Sequence, residues 1–328
     1  MTDKQTAQDI VYSPSQVGNL VLNTIAERKA KPGAGVRLGI SSIDSHMLPL
    51  RPGELVTVTG RPSNYKSGLM TFWARKVAKD MAGSEDAGKK VVVYITWEMA
   101  IEEIGLYDLS ANTGLSASEL SQGRCSDVDY ESLQLAAMKR AMSPLWLIGH
   151  SIERRKKRPR LTLSNVAKAL MWMEDELGFK PEIIFLDYLQ QMEPERLDGK
   201  GEVTRRMDIF ENVHRCKDMA LSLGCPVVLG VQAGRQVDER VWKLPQMGDQ
   251  MESSNIEHTA DKMISVWYPC RSEPIDMPLN EPGGIHNDLR VTENLLIVGL
   301  QKQRLGPAGR YYALHVDPAH NEIYDIQR

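Results

Sequence analysis

An octapeptide early in the chain, GRPSNYKS at residues 60–67, has the composition of a phosphate-binding loop. It follows the apolar run ELVTVT and precedes a segment with helical spacing, which is the context that such a loop requires. Backbone N–H groups that wrap an anion at a helix N-terminus neutralise phosphate charge, and the helix dipole adds to the effect. Lys66 would then reach the β- and γ-phosphates of ATP, and the Ser67 hydroxyl would bind Mg²⁺. The candidate nucleotide-binding residues are Gly60, Arg61, Pro62, Ser63, Asn64, Tyr65, Lys66 and Ser67.

Tyr65 departs from the usual pattern of such loops, GxxxxGK[ST], because it stands where the second glycine is expected. Glycine tolerates backbone conformations and close approaches to phosphate that tyrosine does not share. An ordinary strand-to-helix turn that contains Lys-Ser is therefore the alternative to a phosphate loop. The loop taken alone is a weak match, and the decision depends on residues further along the chain.

Two carboxylates end apolar runs and could complete an ATP site. Asp187 closes IIFLD, at the position where a second acidic residue supports Mg²⁺ through water. A simple turn cap is the alternative for Asp187, but the upstream loop favours the Mg²⁺ role. Glu98 closes VVVYITWE and could activate the attacking water as a general base. Its alternative is an exposed glutamate at a strand end.

Three further polar residues lie at strand ends. Gln232 follows PVVLGV and could sense the γ-phosphate, or cap the next turn. Lys302 and Arg304 are two residues apart, so strand alternation puts their side chains on one face. Directed across a subunit boundary, the pair could stabilise transition-state charge as an arginine finger. A solvated basic strand end is the alternative.

The elements that would position these residues alternate between apolar runs and amphipathic helices. This alternation predicts an α/β fold with a mostly parallel central sheet that is covered by helices on both faces. Seven strands are predicted, at residues 54–60, 91–98, 143–149, 182–189, 226–232, 262–268 and 294–303.

The first 35 residues are predicted to form an N-terminal helical arm and linker, ahead of a domain at residues 36–328. In SPSQVGNLVLNTIAERKA, Ser13 suits the N-cap, Pro14 the first helical position and Gln16 a capping box. The sequence KPGAG then ends the helix. Such a helix cannot bury its apolar stripe alone, so it either folds back on its own domain or docks on a neighbouring subunit.

Composition excludes several classes of protein. The net charge of -3 argues against a wholly basic coat protein for nucleic acid. The four cysteines lack CxxC spacing, which favours free thiols in a reducing compartment over a zinc site. The N-terminus has no signal-like apolar core and no run is long enough to span a bilayer. We therefore expect a cytoplasmic protein without membrane contact.

Six segments together resemble the C-terminal motor domain of DnaB-type replicative helicases, a family of hexameric ATPases with the RecA fold. They occur in the family's order from about Arg37 onward: RPGELVTVTGRPSNYKSGL, YITWEM, IIFLDYLQQM, PVVLGVQAGR, MESSNIEHTADKMISVWY and QKQRLGPAGR. LDYLQQM and KQRLGPAG are the most specific, since they match beyond what any phosphate-loop ATPase needs.

The resemblance implies a role for each candidate residue. Lys66 and Ser67 would bind phosphate and Mg²⁺, Asp187 would support Mg²⁺ and Glu98 would be the catalytic base. Gln232 would link the nucleotide state to a DNA loop, while Lys302 and Arg304 would act on a neighbour's ATP. The N-terminal helix would pack on the adjacent protomer. The sequence departs from the family pattern in two respects. Tyr65 replaces a glycine, and the family's N-terminal collar domain is absent from the sequence. The absent collar suggests a phage- or plasmid-encoded motor or a recruited accessory ATPase.

In rings of this fold, the loops after the Asp187 and Gln232 strands face the central channel. Glycine and scattered basic groups in these loops suit a flexible, sequence-independent grip on a phosphate backbone. A solvated loop is the alternative. The basic run ERRKKRPR at 153–160 either binds nucleic acid or an acidic partner, or forms a solvated insertion. The candidate contacts to nucleic acid are Arg196, Lys200, Arg205, Arg206, Arg235, Arg240 and Lys243.

The first functional hypothesis is an ATP-dependent helicase or translocase that works as a homo-hexamer on single-stranded DNA, with a loader or replication protein as a possible partner. The second is a nucleotide-switched DNA-binding or assembly ATPase that forms rings or filaments with weak hydrolysis, which Tyr65 and the missing collar favour. ATP and Mg²⁺ are the expected cofactors of both.

Overall fold

A computed structural model describes residues 11–84, 88–153, 158–195, 202–250, 254–280 and 289–326 of the 328-residue chain. The chain divides into two compact units, residues 1–36 and residues 37–328. The division after residue 35 that the sequence suggested stays a prediction. Within the described residues, no helix combines the length and the apolar composition that crossing a membrane requires.

The first unit contains helix α1, Pro14–Ala30. Its N-terminus has the predicted capping box, because the Ser13 backbone N–H donates to Gln16 Oε1 at 2.7 Å and the Gln16 N–H donates to Ser13 Oγ at 3.3 Å. Pro14 occupies the first helical turn, where its missing N–H costs nothing. The helix residues are exposed, including the apolar stripe that contains Leu20 and Ile25. Docking of this stripe on a neighbouring subunit stays a prediction.

The second unit is built on a nine-stranded sheet in the order β3-β2-β4-β5-β1-β6-β7-β8-β9. Strands β1 to β6 run parallel, and β7, β8 and β9 extend the sheet antiparallel beyond β6. This confirms the predicted mostly parallel sheet. The strands are β1 Leu55–Gly60, β2 Lys90–Thr96, β3 Leu145–Ile148, β4 Lys180–Asp187, β5 Val227–Gln232, β6 Lys262–Trp267, β7 Leu295–Gln303, β8 Arg310–Asp317 and β9 Glu322–Asp325.

Helices cover the sheet on both faces, as the apolar strands require. On one face, Trp73 of the helix after β1 meets Phe185 of β4 edge-on, with ring centroids 5.6 Å apart. On the other, the neighbours of Phe185 in β4, Ile184 and Leu186, join a buried cluster with side chains of the two helices that flank β4 in the chain. The helices are α2 Ser41–Asp44, α3 Lys66–Ala82, α4 Ile101–Thr113, α5 Ala117–Ser121, α6 Asp127–Arg140, α7 Leu163–Leu177, α8 Glu202–Leu223 and α9 Ser254–Thr259.

Two of the nine strands, β8 and β9, were missed by the sequence analysis, which predicted seven. The physical reason is that β8 alternates between buried and more exposed positions, so it lacks the continuous apolar run that identified the other strands. Strand β9 has four residues and is too short to give a periodic signal. The turn between these two strands contacts the loop of residues 60–67, because Asn321 accepts a hydrogen bond from the Tyr65 hydroxyl.

Candidate nucleotide-binding site at the carboxyl edge of the sheet

Parallel pairing brings the predicted site residues to one edge of the sheet. Gly60 of β1 is in register with Gln232 of β5, and Thr96 of β2 is in register with Asp187 of β4. Glu98 follows β2 by two residues. Because the carboxyl ends of parallel strands share an edge, segments that are far apart in sequence converge there. In open α/β sheets this is the edge where ligands bind.

The loop between β1 and α3 is fixed by side chains that reach other elements. The Arg61 guanidinium makes a bidentate pair with Asp238, with N–O distances of 3.0 and 2.7 Å, and also donates to the Ala233 carbonyl. Asn64 Oδ1 accepts the Tyr268 N–H at 2.9 Å. A Cβ on Gly60 would lie 2.9 Å from a methyl carbon of the β6 valine that pairs with it, so this position requires glycine. These contacts therefore hold the loop in a defined shape.

Lys66 begins helix α3 and lies inside the site. Its side chain is buried, and its Nζ lies 3.6 Å from the centroid of the Tyr188 ring, a cation–π contact. Burial lowers the pKa of Lys66, and the nearby carboxylates of Asp187 and Glu98 oppose that shift. Ser67 follows in the same turn and is half-buried. The ammonium group is thus held close to both predicted carboxylates by an aromatic face.

Asp187 is fully buried and has one free carboxylate oxygen. Oδ2 accepts the Tyr94 hydroxyl at 2.8 Å, while Oδ1 has no hydrogen-bond partner among the described residues. A buried carboxylate oxygen without a partner is costly unless a cation or water satisfies it. Together with the Ser67 hydroxyl, Asp187 therefore fits a Mg²⁺ ion and its bound water. Among the described residues, no three or more histidine, cysteine or acidic side chains cluster in a way that could hold a metal ion.

Gly230 of β5 lies against Asp187 and leaves space for its carboxylate. A Cβ there would lie 3.0 Å from Tyr188 Cβ, 3.2 Å from Met70 Sδ and 3.3 Å from Asp187 Oδ1. The absence of a side chain at this point therefore allows the carboxylate and the ring under Lys66 to pack against β5.

We expect Gly230→Ala to lower ATP turnover about ten-fold, because misplacement of a reacting group by a fraction of an ångström is costly. The Mg²⁺ concentration needed for half-maximal turnover should rise, since the new methyl presses on Asp187 Oδ1. Steady-state kinetics over a Mg²⁺ titration measure both effects. Gly105→Ala is the matched control, because a Cβ at Gly105 meets nothing within 4 Å. Equal kinetics in the two variants would refute the argument.

Glu98 is exposed at the mouth of the site. Although the residue stays accessible to solvent, partial desolvation by the surrounding protein raises the pKa of this carboxyl, the Asp187 charge raises it further, and Lys66 opposes the shift. A carboxylate of raised pKa is a stronger proton acceptor than an ordinary surface glutamate. The geometry is compatible with the predicted general base, and the role stays a prediction.

Gln232 ends β5 next to the phosphate loop, and its backbone N–H donates to Gln190 Oε1 at 3.0 Å. Gln190 follows Asp187 by three residues, and its buried Nε2 has no partner among the described residues. The two glutamines therefore join the loops after β4 and β5. Whether this link responds to nucleotide stays a prediction.

Lys302 and Arg304 lie together, but at the opposite edge of the sheet. Lys302 Nζ donates to the carbonyls of Glu257 and Ala260, the second at 2.7 Å, and Arg304 pairs with Asp261 at 3.0 Å. Asp261 immediately precedes β6, whereas Gly60 pairs near the other end of that strand. Asp261 and Val266, the partner of Gly60, are five residues apart, which corresponds to about 16 Å of strand. The pair therefore stands away from the phosphate loop of its own chain.

The candidate nucleic-acid residues differ in what they contact. Arg205 and Arg206 lie on α8 and Arg205 is exposed, while Arg196 and Lys200 lie outside the described residues. Arg235 is exposed on a short 3-10 helix, Arg235–Glu239. Arg240 makes two bonds of 2.6 Å to Asp249, and Lys243 pairs with Glu273.

The loop after β5 contains a short helical turn, and Arg240 and Lys243 in it are paired with acidic residues of the same chain. Contact of this loop with nucleic acid stays a prediction. In the basic run 153–160, residues 154–157 lie outside the described part of the chain. Arg160 at its end binds Glu193 and the carbonyl of Pro194, so that arginine is occupied internally.

Four aromatic and amide side chains contribute to the site without having been predicted. Tyr94 donates a hydrogen bond to Asp187, and the ring of Tyr188 contacts the Lys66 ammonium group. Gln190 accepts a hydrogen bond from the backbone of β5, and Asn321 contacts the phosphate loop from the β8–β9 turn. Tyr188 and Gln190 closely follow Asp187 in LDYLQQM, so position next to a candidate ligand was an available signal. Tyr94 and Asn321 had no such signal.

Comparison with known proteins adds a family to this geometry. The family model for the DnaB-like helicase C-terminal domain matches residues 35–321. The replicative DNA helicase DnaB of Leifsonia xyli subsp. xyli is 26% identical over 268 residues, covering 80% of this chain and 53% of the relative. The DnaB of Helicobacter pylori strain 26695 is 26% identical, covering 94% and 61%. The chain thus spans little more than half the length of these relatives.

Solved structures support the fold. One solved ATPase domain superposes with a TM-score of 0.74 at 19% identity, covering 96% of this chain and all of the other. A DnaB-like replicative helicase, studied with its interactions with primase, superposes with a TM-score of 0.72 at 19% identity, covering 94% of this chain and 67% of the other. These likenesses confirm the predicted RecA-like α/β fold.

Proposed function

Because the chain belongs to the DnaB-like helicase C-terminal domain family, we propose that it is an ATP-driven motor which translocates on single-stranded DNA and separates strands. The observation that carries the proposal is the convergence of Lys66, Asp187 and Glu98 at the carboxyl edge of the sheet, beside the loop that opens helix α3. ATP with Mg²⁺ is the proposed substrate form.

The proposed chemistry is hydrolysis of the terminal phosphate of ATP. The loop N–H groups and Lys66 bind the β- and γ-phosphates, while the Ser67 hydroxyl and Asp187 would hold Mg²⁺. The bound ion would neutralise charge on the phosphate oxygens. Glu98 accepts a proton from a water whose oxygen attacks the γ-phosphorus. The bond from that phosphorus to the β–γ bridging oxygen breaks, and ADP and inorganic phosphate leave.

The position of Lys302 and Arg304 supports a ring in which each ATP is shared by two subunits. They lie at the sheet edge opposite their own phosphate loop. In a head-to-tail assembly they would therefore act at the ATP site of the neighbouring subunit. A closed homo-hexamer is the proposed assembly. In the isolated chain Arg304 is paired with Asp261, but 57% of its side chain is exposed, so it is accessible to a neighbour.

Mixing two inactive variants is expected to restore turnover. Lys66→Ala subunits keep Arg304, and Arg304→Ala subunits keep the ATP site, so about a quarter of the interfaces in random mixed rings contain both intact halves. ATP turnover of re-associated mixtures measures this directly. The matched control is a mixture in which both subunit types carry Lys66→Ala. Mixtures as inactive as the separate variants would contradict an arginine that acts across the interface.

Single-stranded DNA is the proposed track, with Arg205, Arg206 and Arg235 as the described candidates for phosphate contacts and Arg196 and Lys200 as further candidates. A loader or replication protein is the proposed partner class, and the primase contact of the DnaB-like relative is one model for it. Strand separation of a forked duplex with ATP tests the proposal. Unwinding that requires ATP and is lost in Lys66→Ala supports it, and ATP turnover without any strand separation or translocation contradicts it.

Tyr65 favours a second candidate, a nucleotide-switched assembly ATPase with weak hydrolysis. Tyr65 replaces the second glycine of the motif while its backbone keeps φ 64°, in the region that favours glycine, so the loop departs from the usual form in its side chain. The two candidates differ in turnover number. Many ATP molecules hydrolysed per subunit in the presence of DNA would exclude the second, and a single turnover followed by a stable ring or filament would exclude the first.

A further inference from the structure

The side chain of Tyr65 leaves the phosphate loop and reaches the turn between β8 and β9. Its hydroxyl donates to Asn321 Oδ1 at 2.9 Å, and Asn321 Nδ2 donates to Thr71 Oγ1 at 2.8 Å. Asn321 is 1% exposed, so both of its amide bonds are made out of contact with solvent. Thr71 in turn donates to the carbonyl of Ser67 at 2.9 Å. The loop and the first turn of α3 are therefore tied through one buried amide.

The Tyr65 ring lies where a side chain at Gly68 would be. A Cβ on Gly68 would stand 2.6 to 2.7 Å from three carbons of the ring, which is closer than atoms pack. The ring also meets Tyr268 edge-on, with centroids 5.7 Å apart. The chain thus has the bulky Tyr65 where the motif expects glycine. Three residues later it has Gly68, whose missing side chain leaves space for the Tyr65 ring.

These contacts hold a backbone conformation that an L-residue adopts reluctantly. Tyr65 has φ 64° and ψ 21°, and Ser63 in the same loop has φ 62°. A non-glycine residue keeps such dihedrals when the surrounding contacts over-determine them. The hydroxyl bond to Asn321, the packing on Gly68 and the ring of Tyr268 supply three independent restraints. A glycine in place of Tyr65 would allow the conformation but would not hold it.

The turn that carries Asn321 is itself anchored. The Ala319 carbonyl accepts from the Ala117 N–H at 2.9 Å and from Ser110 Oγ at 2.9 Å, and His320 Nδ1 lies 2.6 Å from Asp317 Oδ2. The anchor of Tyr65 is therefore a fixed point that also contacts α4 and α5.

We propose that Tyr65 is a positioning residue, which Asn321 holds so that the phosphate loop keeps its nucleotide-binding shape before nucleotide arrives. The inference rests on the proposed function, since it assumes that this loop binds ATP. It differs from the assumption that tyrosine at this position merely obstructs the motif. Its consequence is that removal of the tyrosine weakens nucleotide binding, although the substitution restores the usual glycine.

Binding of MgADP, measured by calorimetry, tests the positioning role. If Tyr65→Phe or Asn321→Ala leaves the loop in its competent shape about a tenth of the time, the Kd rises about ten-fold. The double variant should be no weaker than the weaker single variant, because the two changes break one connection. In Asn321→Ala, the KM for ATP should rise while kcat stays within about two-fold, a split that a general loss of folded protein does not produce.

Tyr312→Phe is the matched control, since the buried Tyr312 hydroxyl has no partner among the described residues. It should leave the Kd for MgADP unchanged. Kd values within about two-fold of the wild type in both Tyr65→Phe and Asn321→Ala would overturn the proposal. So would an equal loss in Tyr312→Phe, or a tighter Kd in Tyr65→Gly. Failure of the wild-type chain to bind MgADP would instead overturn the proposed function.

A stability test judges the Tyr65–Gly68 contact without any nucleotide. Gly68→Ala should lower the Tm of the wild-type chain, because the new methyl meets the ring. In the Tyr65→Gly background the ring is gone, and the same change should raise the Tm, since alanine favours a helix over glycine. A change of sign supports the contact. The same sign in both backgrounds would show that Tyr65 does not lie over Gly68 and would overturn the proposal.

Discussion

Replacement of Lys66 by alanine is expected to reduce ATP turnover about 100-fold or more, which is the scale for loss of one charged donor to a developing negative charge. The ammonium group is buried beside Asp187 and Glu98, where a low dielectric strengthens its attraction to phosphate. Its loss leaves both carboxylates facing a polyanion without compensation. Nucleotide binding should weaken as well, and a coupled assay of phosphate release with calorimetry of MgADP separates the two effects.

Lys79→Ala is the matched control for Lys66→Ala. Lys79 lies on the same helix α3 and is exposed, so the same substitution should leave turnover near the wild-type rate. Turnover in Lys66→Ala that equals the Lys79→Ala rate would mean that hydrolysis takes place at another site.

Replacement of Glu98 by glutamine is expected to lower kcat by about 100- to 10,000-fold, the usual contribution of a general base, while MgADP still binds. Glutamine keeps the shape of the side chain but cannot accept the proton of the attacking water. In the wild type the base must be ionised, and its pKa is raised by burial and by Asp187. Turnover should therefore fall as the pH drops through that raised pKa, at a higher pH than an ordinary glutamate would give.

Glu131→Gln is the control for this experiment, because Glu131 is an exposed residue on α6. It should change neither kcat nor the pH profile. A normal kcat in Glu98→Gln would assign the proton transfer to another group. So would an unchanged fall of turnover at low pH in that variant.

The sheet and the location of the site could be predicted because both follow from local patterns. Continuous apolar runs identify buried parallel strands, and their carboxyl ends must meet at one edge, so Gly60, Asp187 and Gln232 could be expected to converge. In the structure, Gly60 pairs with Gln232 and Thr96 pairs with Asp187 at this edge of the sheet. The family resemblance rested on the same segments, and the match over residues 35–321 confirms it.

The contacts that set the details come from distant positions and carry no local signal. Asn321 reaches Tyr65 across 256 residues of sequence, from a turn between two strands that were not predicted. The ion pairs of Arg240 with Asp249 and of Lys243 with Glu273 depend on how a loop folds, which charge counting along the chain does not reveal. Sequence therefore indicated which residues are basic, and the fold decides which of them are occupied.

Tyr65 illustrates the difference most clearly. From the sequence it is a large residue at a glycine position, and the natural expectation is an impaired loop. In the structure its ring lies along α3 and its hydroxyl is bonded to Asn321, so its bulk is directed away from the loop. The compensating Gly68 was visible in the sequence, but its meaning depends on the path of the Tyr65 side chain.

The central claim is that the site at the carboxyl edge of the sheet couples ATP hydrolysis to single-stranded DNA. Its most direct test is steady-state ATP turnover by the wild-type chain and by Lys66→Ala, each with and without single-stranded DNA. We predict turnover in the wild type that DNA stimulates, and a loss of both the basal and the stimulated rate in Lys66→Ala. Turnover that is unaffected by DNA, or that survives in Lys66→Ala, would contradict the claim.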